Sequence, residues 1–184
     1  MQWRNSPHTY GLTSIVLHWL VAVAVFGLFG LGLWMVGLDY YSSWYRTAPD
    51  LHKSIGLTLF ALMLLRVFWR FLSPAPQALP SHDARTRLAS KAGHLLLYVG
   101  LFALMLSGYL ISTADGRGIV VFGLFEVPAT LTSLPDQEDL AGVVHEYLAW
   151  GLVIFAGLHA LAALKHHFID RDATLVRMFG RTQR

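Results

Sequence analysis

The stretch VVHEYLAWGLVIFAGLHALAALKHHF, residues 143–168, decides the fold. It has no proline, a single acid at Glu146, and no lysine or arginine before Lys165. About 20 mostly apolar residues rising 1.5 Å each are enough to cross the hydrocarbon of a bilayer. The run also carries His145 and His159, 14 residues apart. At about 100° and 1.5 Å per residue, that spacing puts them on one helix face, about 21 Å apart along the axis. Imidazole inside a membrane span is costly enough to signal function. Two on one face, at different depths, point to two separate centres.

Three further runs repeat the pattern. They cover about 15–36, 51–72 and 92–111, giving four spans with the first run quoted. The seven prolines (Pro7, Pro49, Pro74, Pro76, Pro80, Pro128 and Pro135) fall outside all four, as boundary residues should. The composition agrees, with 55% hydrophobic and 14% charged residues and a mean hydropathy of +0.50. A soluble domain carries about 25% charge, which excludes a water-soluble globule. The absence of cysteine excludes disulfides, iron–sulfur clusters, thiol nucleophiles and c-type haem attachment. With no repeat or flexible linker, the chain reads as one domain over 1–184. The apolar stretch 118–125 is too short to span and is expected at the outer interface or as a cap.

Charge fixes the expected topology. Eleven of the 14 basic residues (Arg4, Arg66, Arg70, Arg85, Arg87, Lys91, Lys165, Arg171, Arg177, Arg181 and Arg184) lie on the side of the termini and the 73–91 loop. Only Asp83, Asp170 and Asp172 are acidic there. The opposite side holds Arg46, Lys53 and Arg117 against eight acids, a net −5. The positive-inside bias therefore places both termini in the cytoplasm. A pI of 9.4 thus reports membrane sidedness and anionic lipid, and needs no nucleic acid.

Alternating helix directions set the histidines in depth-matched pairs: His18 with His159 on the inner side, His52 with His145 on the outer. Two imidazoles facing one another in a bundle core make a socket for a bis-histidine haem. Each of the four has a small residue one turn on (Ala22, Gly56, Ala149 and Ala163), leaving room beside the ring. Competing cofactors fit less well. Retinal needs a mid-membrane lysine, whereas Lys53, Lys91 and Lys165 sit near helix ends. Zinc needs converging ligands rather than separated pairs. A transporter more often shows broken helices.

Several segments then carry a resemblance. They are Leu17-His18-Trp19-Leu20, Leu51-His52-Lys53-Ser54-Ile55-Gly56, Gly93-His94-Leu95, His145-Glu146, and Gly157-Leu158-His159 through Lys165-His166-His167, with the tail from Phe168 to Leu175. In this order and spacing, over nearly the whole chain, the sequence resembles the bacterial cytochrome b561 family. The resemblance implies an all-α membrane protein, a four-transmembrane-helix up-down bundle enclosing two b-type haems in the bacterial inner membrane. It implies that His18, His52, His145 and His159 are the axial ligands. It also implies electron exchange with quinone, ubiquinone in particular, and a periplasmic redox partner. Superoxide oxidation coupled to quinone reduction is the alternative activity, and a non-redox membrane bundle is the third reading.

Arg66 and Lys53 are the candidate partners for haem propionates, since guanidinium and ammonium groups pair with carboxylates. Snorkelling to the headgroups is the plainer reading of each. His94 and His166 are candidates for a quinone or proton site at the inner side, because imidazole titrates near neutrality. His8 and His82 read as ordinary loop histidines. Trp34, Tyr40, Tyr41, Trp44 and Tyr45 read as an outer interfacial belt.

Overall fold

The computed structural model describes residues 2–132 and 134–180; Arg181 and Arg184 of the charge pattern lie outside them. Four long helices dominate: α1 (Leu12–Met35), α2 (Thr47–Leu72), α3 (Ala84–Ser112) and, after a two-stranded hairpin, α4 (Gln137–Phe168). The hairpin pairs β1 (Ile119–Val121) with β2 (Phe125–Val127), and a short α5 (Thr174–Arg177) follows in the tail. All four long helices are apolar enough to span a membrane. Their outward faces carry large apolar side chains, among them Val23 at 71% and Phe71 at 79% exposure. In water such faces would be unfavourable by about 25 cal/mol per Å², whereas lipid removes the cost. Helices suit that solvent because they satisfy their own backbone groups.

The helices outrun the apolar segments that mark them. The third begins at Ala84 rather than near 92, and the fourth at Gln137 rather than near 143. Asp83 caps α3 by accepting from the Thr86 N–H at 2.8 Å. The Thr86 hydrogen bonds hold the Asp83 carboxyl below its ordinary range, as expected for a carboxylate at a helix N-terminus. Ahead of α4, Asp136 adopts a left-handed φ of 50°. The Gln137 amide then donates to the carbonyls of Leu110 and Leu131, both at 3.0 Å. Pro49 falls in the first turn of α2, where a missing N–H leaves no helical bond unmade.

The chain packs as two compact units, each built from parts of all four long helices. One comprises Met1–Ala22, Leu62–Tyr98 and Ile154–Arg184; the other comprises Val23–Ala61 and Val99–Val153. In the first, the N-terminal segment, the loop after α2 and the tail are tied together. Asn5 bonds Ser73 through backbone N–H and side-chain amide at 2.9 and 2.8 Å. The Trp19 indole donates to the Met178 carbonyl at 2.9 Å, and Arg177 donates to the Gln77 carbonyl at 2.9 Å.

In the second unit, the short apolar stretch is the hairpin. Its turn uses left-handed φ angles at Phe122 (50°) and Gly123 (73°), the combination that matches strand twist in tight hairpins. Ile119 and Val121 point inward and are 4% and 3% exposed. The Phe122 N–H donates to the Ser54 hydroxyl at 3.0 Å, so the hairpin is anchored two residues beyond His52. The aromatics read as a belt meet as edge-on pairs, Trp34 with Trp44 and Tyr40 with Tyr45.

Candidate haem sites

His52 and His145 come together in the second unit. Their ring centres lie 6.3 Å apart at 71° between planes. His145 Nδ1 lies 3.0 Å from the Leu104 carbonyl and 3.0 Å from the Ser107 hydroxyl. A carbonyl can only accept, so Nδ1 carries the proton and Nε2 keeps its lone pair. Ser107 in turn donates to the same Leu104 carbonyl at 2.8 Å. This fixing of the remote ring nitrogen is the support that metal-bound histidines receive.

Glycines make the space for both rings. A Cβ on Gly108 would stand 3.0 Å from His145 Cε1 and 3.3 Å from Nδ1; one on Gly32 would stand 3.3 Å from His52 Cε1. His52 Nδ1 is buried without a hydrogen-bond partner, a state unfavourable by about 1–3 kcal/mol if nothing occupies it. Two imidazoles ligating one metal at about 2 Å each place their ring centres about 6 Å apart. The observed separation, the fixed tautomer and the unpartnered ring nitrogen therefore fit a haem iron. Lys53, next along the chain, pairs with Asp50 at 3.0 Å.

His18, His94 and His159 gather in the first unit. The rings of His94 and His159 meet edge-on with centres 5.4 Å apart, and His18 lies within electrostatic reach of both. Arg66 does not snorkel away. Its guanidinium lies 3.1 Å from His18 Nδ1, and its Nε donates to the Tyr98 hydroxyl at 2.9 Å. It also lies 5.7 Å from the centre of the Tyr98 ring. A permanent cation is thus held beside a half-buried imidazole, where an incoming carboxylate would compete for the same fork of donors. Arg70, one turn on, is exposed.

His166 takes different partners. Its Nδ1 lies 2.7 Å from Asp170 Oδ2 and 3.4 Å from Asp172 Oδ2. His82 is no ordinary loop histidine. Its Nε2 bonds Asp172 Oδ2 at 2.9 Å, and its ring stacks at 4.9 Å on His166. Burial works to raise the Asp172 carboxyl, but hydrogen bonds from Thr174 and His82 outweigh it and leave it below the ordinary range. Lys165, bonded to Asp170 at 2.7 Å, likewise holds that carboxyl down.

The family model described as prokaryotic cytochrome b561 matches residues 9–181. The chain is 55% identical to cytochrome b561 homolog 2 of Escherichia coli (strain K12) over 182 residues, 99% of this chain and 97% of the relative. It is 30% identical to the probable superoxide oxidase CybB of Yersinia pestis over 170 residues, 92% and 94% of the two chains. Cytochrome b561 homolog 1 of the same Escherichia coli strain is 29% identical over 176 residues, covering 94% and 97%. With four membrane-spanning helices and two histidine clusters, the chain belongs to the prokaryotic cytochrome b561 family of inner-membrane, b-haem electron-transfer proteins.

Proposed function

We propose that the protein carries two b-type haems and passes electrons between the quinone pool, ubiquinone in particular, and a periplasmic redox partner, with both termini in the cytoplasm. His52 and His145 would hold the iron of the outer haem, and His18 and His159 that of the inner. The observation that carries this reading is the His145 seat, where Leu104 and Ser107 fix the ring opposite His52 at 6.3 Å. Bound haem supplies the one-electron couple.

The chain supplies orientation, charge and dryness. Leu104 and Ser107 hold the His145 ring in one tautomer, so it meets its ligand without rearranging. Arg66 keeps a positive charge beside His18 for an anionic substituent, the role assigned to it here, and Lys53 serves the outer site by exchanging Asp50 for such a group. His94, whose ring meets that of His159, is the residue assigned to a quinone or proton site at the inner side, where quinone reduction consumes protons. His166 would join that site only by leaving the tail carboxylates. All four ligand histidines are half-buried, which limits water at them.

The test is an optical spectrum of the purified protein, oxidised and dithionite-reduced, with haem counted per chain. Sharp reduced bands of bis-histidine haem b and about two haems per chain are expected. Helical protein free of haem overturns the reading.

The Yersinia relative is named a probable superoxide oxidase, which favours a second reading of the outer site. Superoxide is an anion, and a positive mouth raises encounter rates by 10-fold or more. Here the outer side counts three bases against eight acids, and Lys53 and Arg117 are paired with Asp50 and Asp115. Electron transfer to a periplasmic partner is therefore the preferred role. Purified protein with both haems is expected to consume superoxide no faster when quinone is supplied. Rapid, quinone-dependent consumption that accelerates at low salt would reverse the preference.

A further inference from the structure

We propose that His82, His166, Asp170 and Asp172 form a binding site for a divalent transition-metal ion of the zinc type, separate from the haem ligands. The four residues come from two places in the chain, the loop before α3 and the end of α4 with its tail. They converge within the first compact unit. One ligand atom each from His82, His166 and Asp172 lies within 4.8 Å of the others. The spacings are 2.9 Å for His82 Nε2 to Asp172 Oδ2, 3.4 Å for His166 Nδ1 to Asp172 Oδ2 and 2.7 Å for His166 Nδ1 to Asp170 Oδ2. A tetrahedral ion with bonds of about 2.0–2.2 Å sets its donors about 3.3 Å apart. The three spacings lie within about 0.6 Å of that value, so a modest opening of the cluster admits one.

A hydrogen-bonded clasp is the simpler account, and it explains the His82–Asp172 pair. It does not explain His166. That Nδ1 is buried and faces two carboxylate oxygens, at 2.7 and 3.4 Å, more acceptors than its single N–H needs. Two carboxylates are also brought to the same pair of imidazoles by Arg171, whose φ of 54° is left-handed, an unfavourable conformation for a residue with a side chain. The Thr174 N–H holds the other Asp172 oxygen, Oδ1, at 2.8 Å. That leaves Oδ2 aimed at the histidines, in the manner of an outer-shell support. Asp170 Oδ2 is shared with Lys165, so Asp170 is the weakest of the four donors. Two imidazoles with carboxylate oxygens suit zinc, and they do not suit magnesium, which prefers six oxygens.

The experiment uses the full-length, haem-loaded chain without a polyhistidine tag. After treatment with chelator, it is titrated with Zn2+ against a chromophoric competitor, with Mg2+ in parallel. The expected result is one Zn2+ per chain, no Mg2+ binding, and a zinc-edge absorption spectrum containing two imidazole ligands. His82→Ala and Asp172→Asn should each weaken Zn2+ at least about tenfold while the haem spectrum stays unchanged. Asp172→Asn is the sharper variant, since an amide can still hydrogen-bond His82 and so preserves a mere clasp. Absence of stoichiometric Zn2+, unchanged affinity in both variants, or a shell lacking imidazole would each overturn the proposal. Should a variant lose its haem spectrum, ion stoichiometry and ligand type in the unaltered chain decide alone.

Discussion

His159→Ala removes one haem and leaves the other. The expectation follows from the way the histidines divide. His159 packs with His94 and within reach of His18 and Arg66 in one compact unit, whereas His52 and His145 meet in the other. On the proposed ligand set, taking away the imidazole would leave the inner haem with one of its two histidines. The outer ring pair keeps its hydrogen bonds to Leu104 and Ser107. The haem count should fall from about two to about one per chain, with reduced bands of about half the amplitude. Circular dichroism checks that the helices persist. An unchanged haem content in a helical protein would remove His159 from the ligand set.

The second large effect is expected from a residue that ligates nothing. Gly108→Val places a Cβ 3.0 Å from His145 Cε1 and 3.3 Å from its Nδ1, and the two methyls of valine reach further into the ring. Cβ contacts of that kind force the neighbour to move. The neighbour is an imidazole fixed at Nδ1, so movement breaks its bonds to Leu104 and Ser107 and turns Nε2 away from His52. Loss of the outer haem with retention of the inner one is expected, the mirror of His159→Ala. Gly32→Ala, whose Cβ meets His52 at 3.3 Å, should weaken the same haem less. Normal occupancy of both haems in Gly108→Val would show that the ring is not held where the structure places it.

The fold was legible because membrane spans are written in long apolar runs. The meeting of His52 with His145 was legible for a related reason, whereas the contact of His159 with His94 was not. The spacing of His145 and His159 fixes a shared face on any straight helix, and no tertiary knowledge is needed. What escaped depends on contacts between distant segments. Gly32 and Gly108 are two of 16 glycines, and nothing local says which of them faces a ring. His82 meets Asp172 across 90 residues of chain, so its loop context hid its partners. Helix ends escaped for a different reason. Apolar runs mark the thickness of hydrocarbon, whereas α3 and α4 continue through polar turns held by Asp83 and Gln137.

The bond from the Trp19 indole to the Met178 carbonyl has a consequence in time. Its two ends are 159 residues apart. At about 5–20 residues per second, synthesis takes on the order of 10–30 s to deliver the acceptor after the donor. Throughout that interval the first helix is inserted with its indole unmatched, which an interfacial tryptophan tolerates because headgroup water serves it. This bond therefore forms only after all four spanning helices have been synthesised, since α4 ends at Phe168.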